Sequence, residues 1–146
     1  MPTTELTRTQ MNQLRDAYLD LSSNLGQYRI QNMGDLSISE INRLKDFEHT
    51  FSNISQNFNL QSVKLLLGSN DVAQAVTNIN DTTKDLNEAV KKLKGIKKLI
   101  GIATAAVTLA GAVISGNPQA IGQSIAGVVV AITKKDEKDK KDNENG

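Results

Sequence analysis

Residues 99–133 read LIGIATAAVTLAGAVISGNPQAIGQSIAGVVVAIT, a stretch without one charged side chain. Lysines stand at both outer ends, at 97 and 98 before it and at 134 and 135 after it. Gly116-Asn117-Pro118 divides it into two apolar runs of helix length, with Asn117 placed to cap the second and Pro118 suited to its first position. The pattern predicts a helical hairpin. A hairpin apolar on nearly every face requires either extensive protein cover or lipid around it.

Its candidate membrane-inserting positions are Leu99, Ile100, Ile102, Val107, Leu109, Val113 and Ile114 before the turn. After it come Pro118, Ile121, Ile125, Val128, Val129, Val130 and Ile132. Gly101, Thr104, Thr108, Gly111 and Ser115 fall on one face of the first run at four-and-three spacing, and Ala120, Ser124, Gly127 and Ala131 form a similar face on the second. Faces of this kind let helix backbones approach closely, which is how helices associate in lipid. Two readings of the first face stay open, a helix-packing seam and the lining of a lumen. Leu99–Ser115 makes roughly 25 Å of helix against a hydrocarbon core of roughly 30 Å, the short end of the spanning range. Both lysine pairs lie at the open end of the hairpin, where they can snorkel, and the tip carries no ion. The layout permits insertion tip-first.

Outside this stretch the charge is unevenly laid out. Residues 1–90 hold seven Lys/Arg against eleven Asp/Glu, residues 91–98 hold five lysines and no acid, and the tail after Thr133 holds five of each sign. Lys91, Lys92, Lys94, Lys97 and Lys98, with Lys134 and Lys135, are therefore the candidate contacts for anionic lipid headgroups. Nucleic acid is the weaker partner for these lysines, because no set of base-reading side chains stands beside them and the N-terminal part is acidic. A solvated charged turn on a long helix is the remaining reading.

The rest of the chain reads as amphipathic helix. Met11, Leu14, Tyr18, Leu21, Leu25 and Tyr28 make a heptad seam in a helix from about 4 to 32, with Thr3 or Thr4 as its N-cap. Ser37 and Glu40 form a capping box for a second helix that carries Ile41, Leu44, Phe47, Phe51, Ile54 and Phe58 on one face and extends to about 67. Val72, Val76, Ile79, Thr83, Leu86, Val90 and Leu93 repeat in a third. No proline lies between 71 and 117, so this helix is free to run unbroken to 115, roughly 65–70 Å, with Gly95 and Gly101 as the expected hinge points. The class is all-α: an elongated antiparallel bundle of about four helices, one very long, ending in the apolar hairpin. A single helical domain over 1–135 is expected, followed by a disordered charged tail at 136–146.

Heptad-patterned helices leading through KKLKGIKK (91–98) into an apolar hairpin with a GNP turn resemble the layout of the long-helix α-pore-forming toxins of bacteria, of the cytolysin A and haemolysin BL type. The resemblance implies an elongated bundle whose hydrophobic tongue enters the bilayer as subunits assemble.

Catalytic chemistry is not expected. The chain has no cysteine, and His49, its one histidine, reads as a solvated helix residue beside Glu48. There is no HExxH, GxSxG, P-loop or dinucleotide-binding turn, and neither cofactor nor metal is expected. The polar N-terminus lacks the apolar core of a cleaved signal, which suggests a cytoplasmic or leaderless-exported protein, membrane-associated when active. Three functions fit. The first is a membrane-inserting, pore-forming or membrane-disrupting protein acting as a homo-oligomer or with related subunits. The second is a soluble oligomeric coiled-coil scaffold with the hairpin as its subunit interface, since two covering helices would leave Val107, Leu109, Val128 or Val130 partly exposed in a monomer. The third is a constitutive membrane protein anchored by the hairpin.

Overall fold

The computed structural model describes residues 3–93 and 95–134. Among these the chain forms β1 (Thr4–Glu5), α1 (Arg8–Gln31), a short 3-10 turn (Met33–Asp35), α2 (Ile38–Leu60), β2 (Lys64–Leu65), α3 (Ser69–Lys91), α4 (Ile96–Ser115) and α5 (Pro118–Thr133). It is an all-α bundle. The expected tail at 136–146 lies outside the described residues.

Most of the heptad seams became the core, with Ile41 and Phe47 half-buried and Leu93 just past the end of α3. Met11, Leu14, Tyr18, Leu21, Leu25 and Tyr28 of α1 are all buried, as are Leu44, Phe51, Ile54 and Phe58 of α2 and Val72, Val76, Ile79, Thr83, Leu86 and Val90 of α3. Cross-helix hydrogen bonds fix the directions. Ser22 Oγ donates to the Glu48 carbonyl at 3.0 Å and Ser55 Oγ to the Arg15 carbonyl at 2.8 Å, so α1 and α2 run antiparallel. Asn80 donates to Gln13 at 3.1 Å and Asn24 to Asn87 at 2.9 Å, so α1 and α3 run parallel. Tyr18 Oη donates to the Ala106 carbonyl at 2.7 Å, and the rings of Phe51 and Phe58 lie 5.9 and 5.7 Å from the Tyr18 ring. That cluster joins α1, α2 and α4 at mid-height. One end of the bundle collects the N-terminal segment, the 61–68 link and the 116–117 turn. The other collects the 32–37 turn, the α3–α4 connection and the end of α5.

Three expected boundaries are corrected. The first helix begins at Arg8, not near Thr4: Thr7 is the N-cap, its hydroxyl accepting from Gln10 N while its own amide donates to the Gln10 side chain. Thr4 belongs instead to β1, which pairs antiparallel with β2. The second helix stops at Leu60, short of 66–67. Arg8 donates to the carbonyls of Phe58 and Asn59, and beyond them Val63 and Leu65 alternate into the core around exposed Lys64, a period of two that a helix cannot satisfy. The 71–115 helix is not continuous, because Lys91 ends α3 and Gly95, in extended conformation, begins α4. A straight helix would carry Leu99, Ile102, Leu109 and Val113 away from the bundle. Folding back buries them, at about 1.5–3 kcal/mol for each large side chain. Gly95 is one of the two glycines expected to hinge, and Gly101 stays within α4.

Candidate functional site

Helices α4 and α5 form the predicted hairpin. Asn117 caps α5, its side-chain oxygen accepting from Gln119 N at 2.9 Å and Ala120 N at 3.2 Å, with Pro118 at the first helical position. The 20 residues of α4 span about 30 Å, the thickness of a hydrocarbon core. By length and composition α4 passes as a membrane span and α5 is shorter.

The fold sorts the candidate inserting residues into three groups. Leu99, Ile102, Leu109, Val113, Ile121 and Val128 are buried. Ile100, Val107, Pro118, Ile125 and Ile132 are half-buried. Ile114, Val129 and Val130 are exposed, the two valines at 54% and 62%. Of the four positions expected to remain partly uncovered in a monomer, Leu109 and Val128 are therefore corrected to core. The bundle offers more cover than two helices could, since α3 also packs on α5 and Leu109 turns inward with Ala106 and Ala110.

Gly101, Thr104, Thr108, Gly111 and Ser115 all face solvent. As a packing seam within the chain this face is corrected: a Cβ added at Gly101 or Gly111 would meet nothing within 4 Å, and on the α5 face Gly127 is equally open while Ala120 and Ala131 pack against the core. The packing face of α4 lies opposite, on the side of Leu99, Ile102, Ala103, Ala106, Leu109, Ala110 and Val113. Thr108 shares an open groove with Gln123, Ser124 and Gly127 of α5. The hydroxyls along the outer face turn back on their own backbone, Thr104 to Ile100 O at 2.8 Å, Thr108 to Thr104 O at 3.0 Å, Ser115 to Ala112 O at 2.6 Å and Thr133 to Val129 O at 2.8 Å. A hydroxyl satisfied this way presents its carbon to the surroundings, which lowers the cost of leaving water.

The hairpin tip is held by a clasp that sequence reasoning missed. Leu66 N–H donates to the Gly116 carbonyl at 2.7 Å, and Gly116 has φ 74°. A Cβ there would collide with the Lys64 carbonyl oxygen, so glycine alone lets the link pass this close. The link is strapped in turn by the N-terminus, where Leu6 N–H donates to Val63 O at 2.8 Å and Thr4 Oγ1 to Leu67 O at 3.0 Å. Leu6, Val63 and Leu65 fill the space beneath. Only the glycine turn was visible beforehand. Its partners lie about fifty residues upstream.

The lysines gather at the opposite end. Lys91 closes α3, Lys92 is its C-cap, Lys97 and Lys98 occupy the first turn of α4, and Lys134 is the C-cap of α5. Lys94 and Lys135 lie outside the described residues. Mid-bundle, burial raises the Tyr18 hydroxyl well above the ordinary phenol value, so it stays a hydrogen-bond donor to α4. The Arg29 guanidinium is raised by its hydrogen bond to Glu48, a two-pronged pair at 2.7 and 3.2 Å that ties α1 to α2.

Comparison with protein families, with curated proteins and with solved structures finds no match.

Proposed function

We propose that this chain is a membrane-active α-helical protein that carries an ion-free hairpin folded against its own bundle and inserts it into lipid, forming a pore or disrupting the bilayer. The observation that carries this reading is the outward surface of α4 and α5. It presents Ile114, Val129 and Val130 together with small residues whose hydroxyls are internally satisfied, and 44% of the most apolar window of α4 is buried. The lysines at the base suit anionic headgroups, and the layout resemblance to long-helix α-pore-forming toxins points the same way. Assembly with further copies follows from the open glycine faces, which have room for a neighbouring helix.

Dye release from phosphatidylglycerol-containing and pure phosphatidylcholine vesicles tests it. Leakage is expected with the anionic vesicles and is expected to weaken with salt. Gln119→Asp places a charge on the tip, at a helix start where a carboxylate is favourable for folding, so stability should hold while leakage falls. Vesicles that stay tight with the unaltered protein would sink the reading. The same open glycine face favours a second one, a soluble oligomeric scaffold with the hairpin as subunit interface, whose signature is a discrete oligomer without leakage.

A further inference from the structure

We infer that the folded protein docks end-on to an anionic phospholipid bilayer through the lysine-bearing end of the bundle, with the α1–α2 turn as its apolar contact. This deepens the membrane reading and rests on it. Ile30, Met33 and Ile38 surround the turn at 64%, 46% and 79% exposure. The turn borders the lysines: Tyr28, Gln31 and Asn32 line one groove with Val90, Lys91 and Leu93. Val129 and Val130 approach the same end, in the last turns of α5. Five of the eight large exposed apolar side chains among the described residues thus lie on this third of the molecule.

Charge completes the match. Lys91, Lys92, Lys97 and Lys98 form no ion pair among the described residues, and with Arg43 they outnumber the carboxylates of Asp35, Glu40, Asp85 and Glu88. At the clasp end Arg8 and Lys64 are balanced by Glu5 and Asp71. Lys97 and Lys98 also stand at the positive end of α4, which has no acid in its first turn and no side-chain cap. Two cations there are unfavourable for the isolated helix. An anionic surface removes the penalty. Exposed apolar groups ringed by lysine are what an interfacial contact requires.

Docked this way, the hairpin tip lies at the opposite end of the bundle, about 30 Å from the bilayer by the length of α4. Binding and insertion are therefore separate steps, and they are separable by experiment. Cosedimentation with vesicles of phosphatidylcholine mixed with phosphatidylglycerol should capture the full chain, and Gln119→Asp should bind as well as the unaltered protein. Ile38→Ser is expected to weaken binding roughly tenfold. Lys97→Gln should weaken it roughly fivefold and flatten its salt dependence. All three positions are exposed, and thermal melts will show whether the fold is intact. Binding untouched by Ile38→Ser and Lys97→Gln, or abolished by Gln119→Asp, overturns the docking surface. Vesicles that bind the protein yet stay tight uphold it while removing the insertion reading.

Discussion

Helices α4 and α5 are made from the same few residue types and differ sharply in what the fold does with them. In α4 eight residues are buried, from Leu99 to Val113, and its carbonyl at Ala106 receives the buried hydroxyl of Tyr18. In α5 only Ile121 and Val128 are buried, and Val129 and Val130 point outward. Composition sets how much apolar surface exists. Position in the bundle sets how much of it is covered: α4 packs against α2 and α3 and is reached from α1 by Tyr18, whereas α5 rests on α4 and one flank of α3. A structural core helix and a surface-lying apolar helix can thus be neighbours in one hairpin.

The largest expected effect is at Leu109, which is fully buried in α4. Leu109→Ala should cost about 2–5 kcal/mol in denaturant melts, through lost burial and the cavity left behind. A cost below 1 kcal/mol would mean α4 is held no better than α5. Next is the clasp. Gly116→Ala should cost at least about 1–2 kcal/mol from the left-handed backbone alone, with the collision against Lys64 added. Hydrogen exchange should then quicken at Leu66 and around the hairpin tip before it quickens in α1 and α2. Uniform exchange would show that the clasp has no special hold on the hairpin.

Tyr18→Phe removes one buried hydrogen bond to α4 and should cost about 1 kcal/mol. It also carries a pH signature. The folded-state value of this phenol is raised, so its contribution is complete below the ordinary value of about 10 and is lost as pH climbs beyond it towards the folded value. Stability of the unaltered protein should fall more steeply above pH 10 than that of Tyr18→Phe. Smallest of all is Val130→Ser. At 62% exposure it should shift stability by no more than about 0.5 kcal/mol, the clearest contrast with Leu109.

Much of the architecture was legible because it is local. The gaps of three and four in Met11–Tyr28 and in Val72–Val90, the Ser37–Glu40 capping box and the Asn117-Pro118 start are each decided within a turn or two of chain, and each appears as read. Thr7 was overlooked as a cap although Gln10 three residues on carries the signature. The seam of Gly101, Thr104 and Thr108 was legible as a face but not as an outward one. Spacing places residues on one side of a helix and is silent about which side meets the core.

Residue order alone settled that the chain is helical, that residues 99–133 make an uncharged hairpin, and that lysine gathers at the base of that hairpin. Those are properties of periodicity and charge along one dimension. The fold in space settled that α3 and α4 part at Gly95, that Leu65 and Gly116 meet, and that Val130 stays outside while Leu109 does not. Such choices depend on contacts between segments far apart in the chain, where burying one face necessarily leaves another to water.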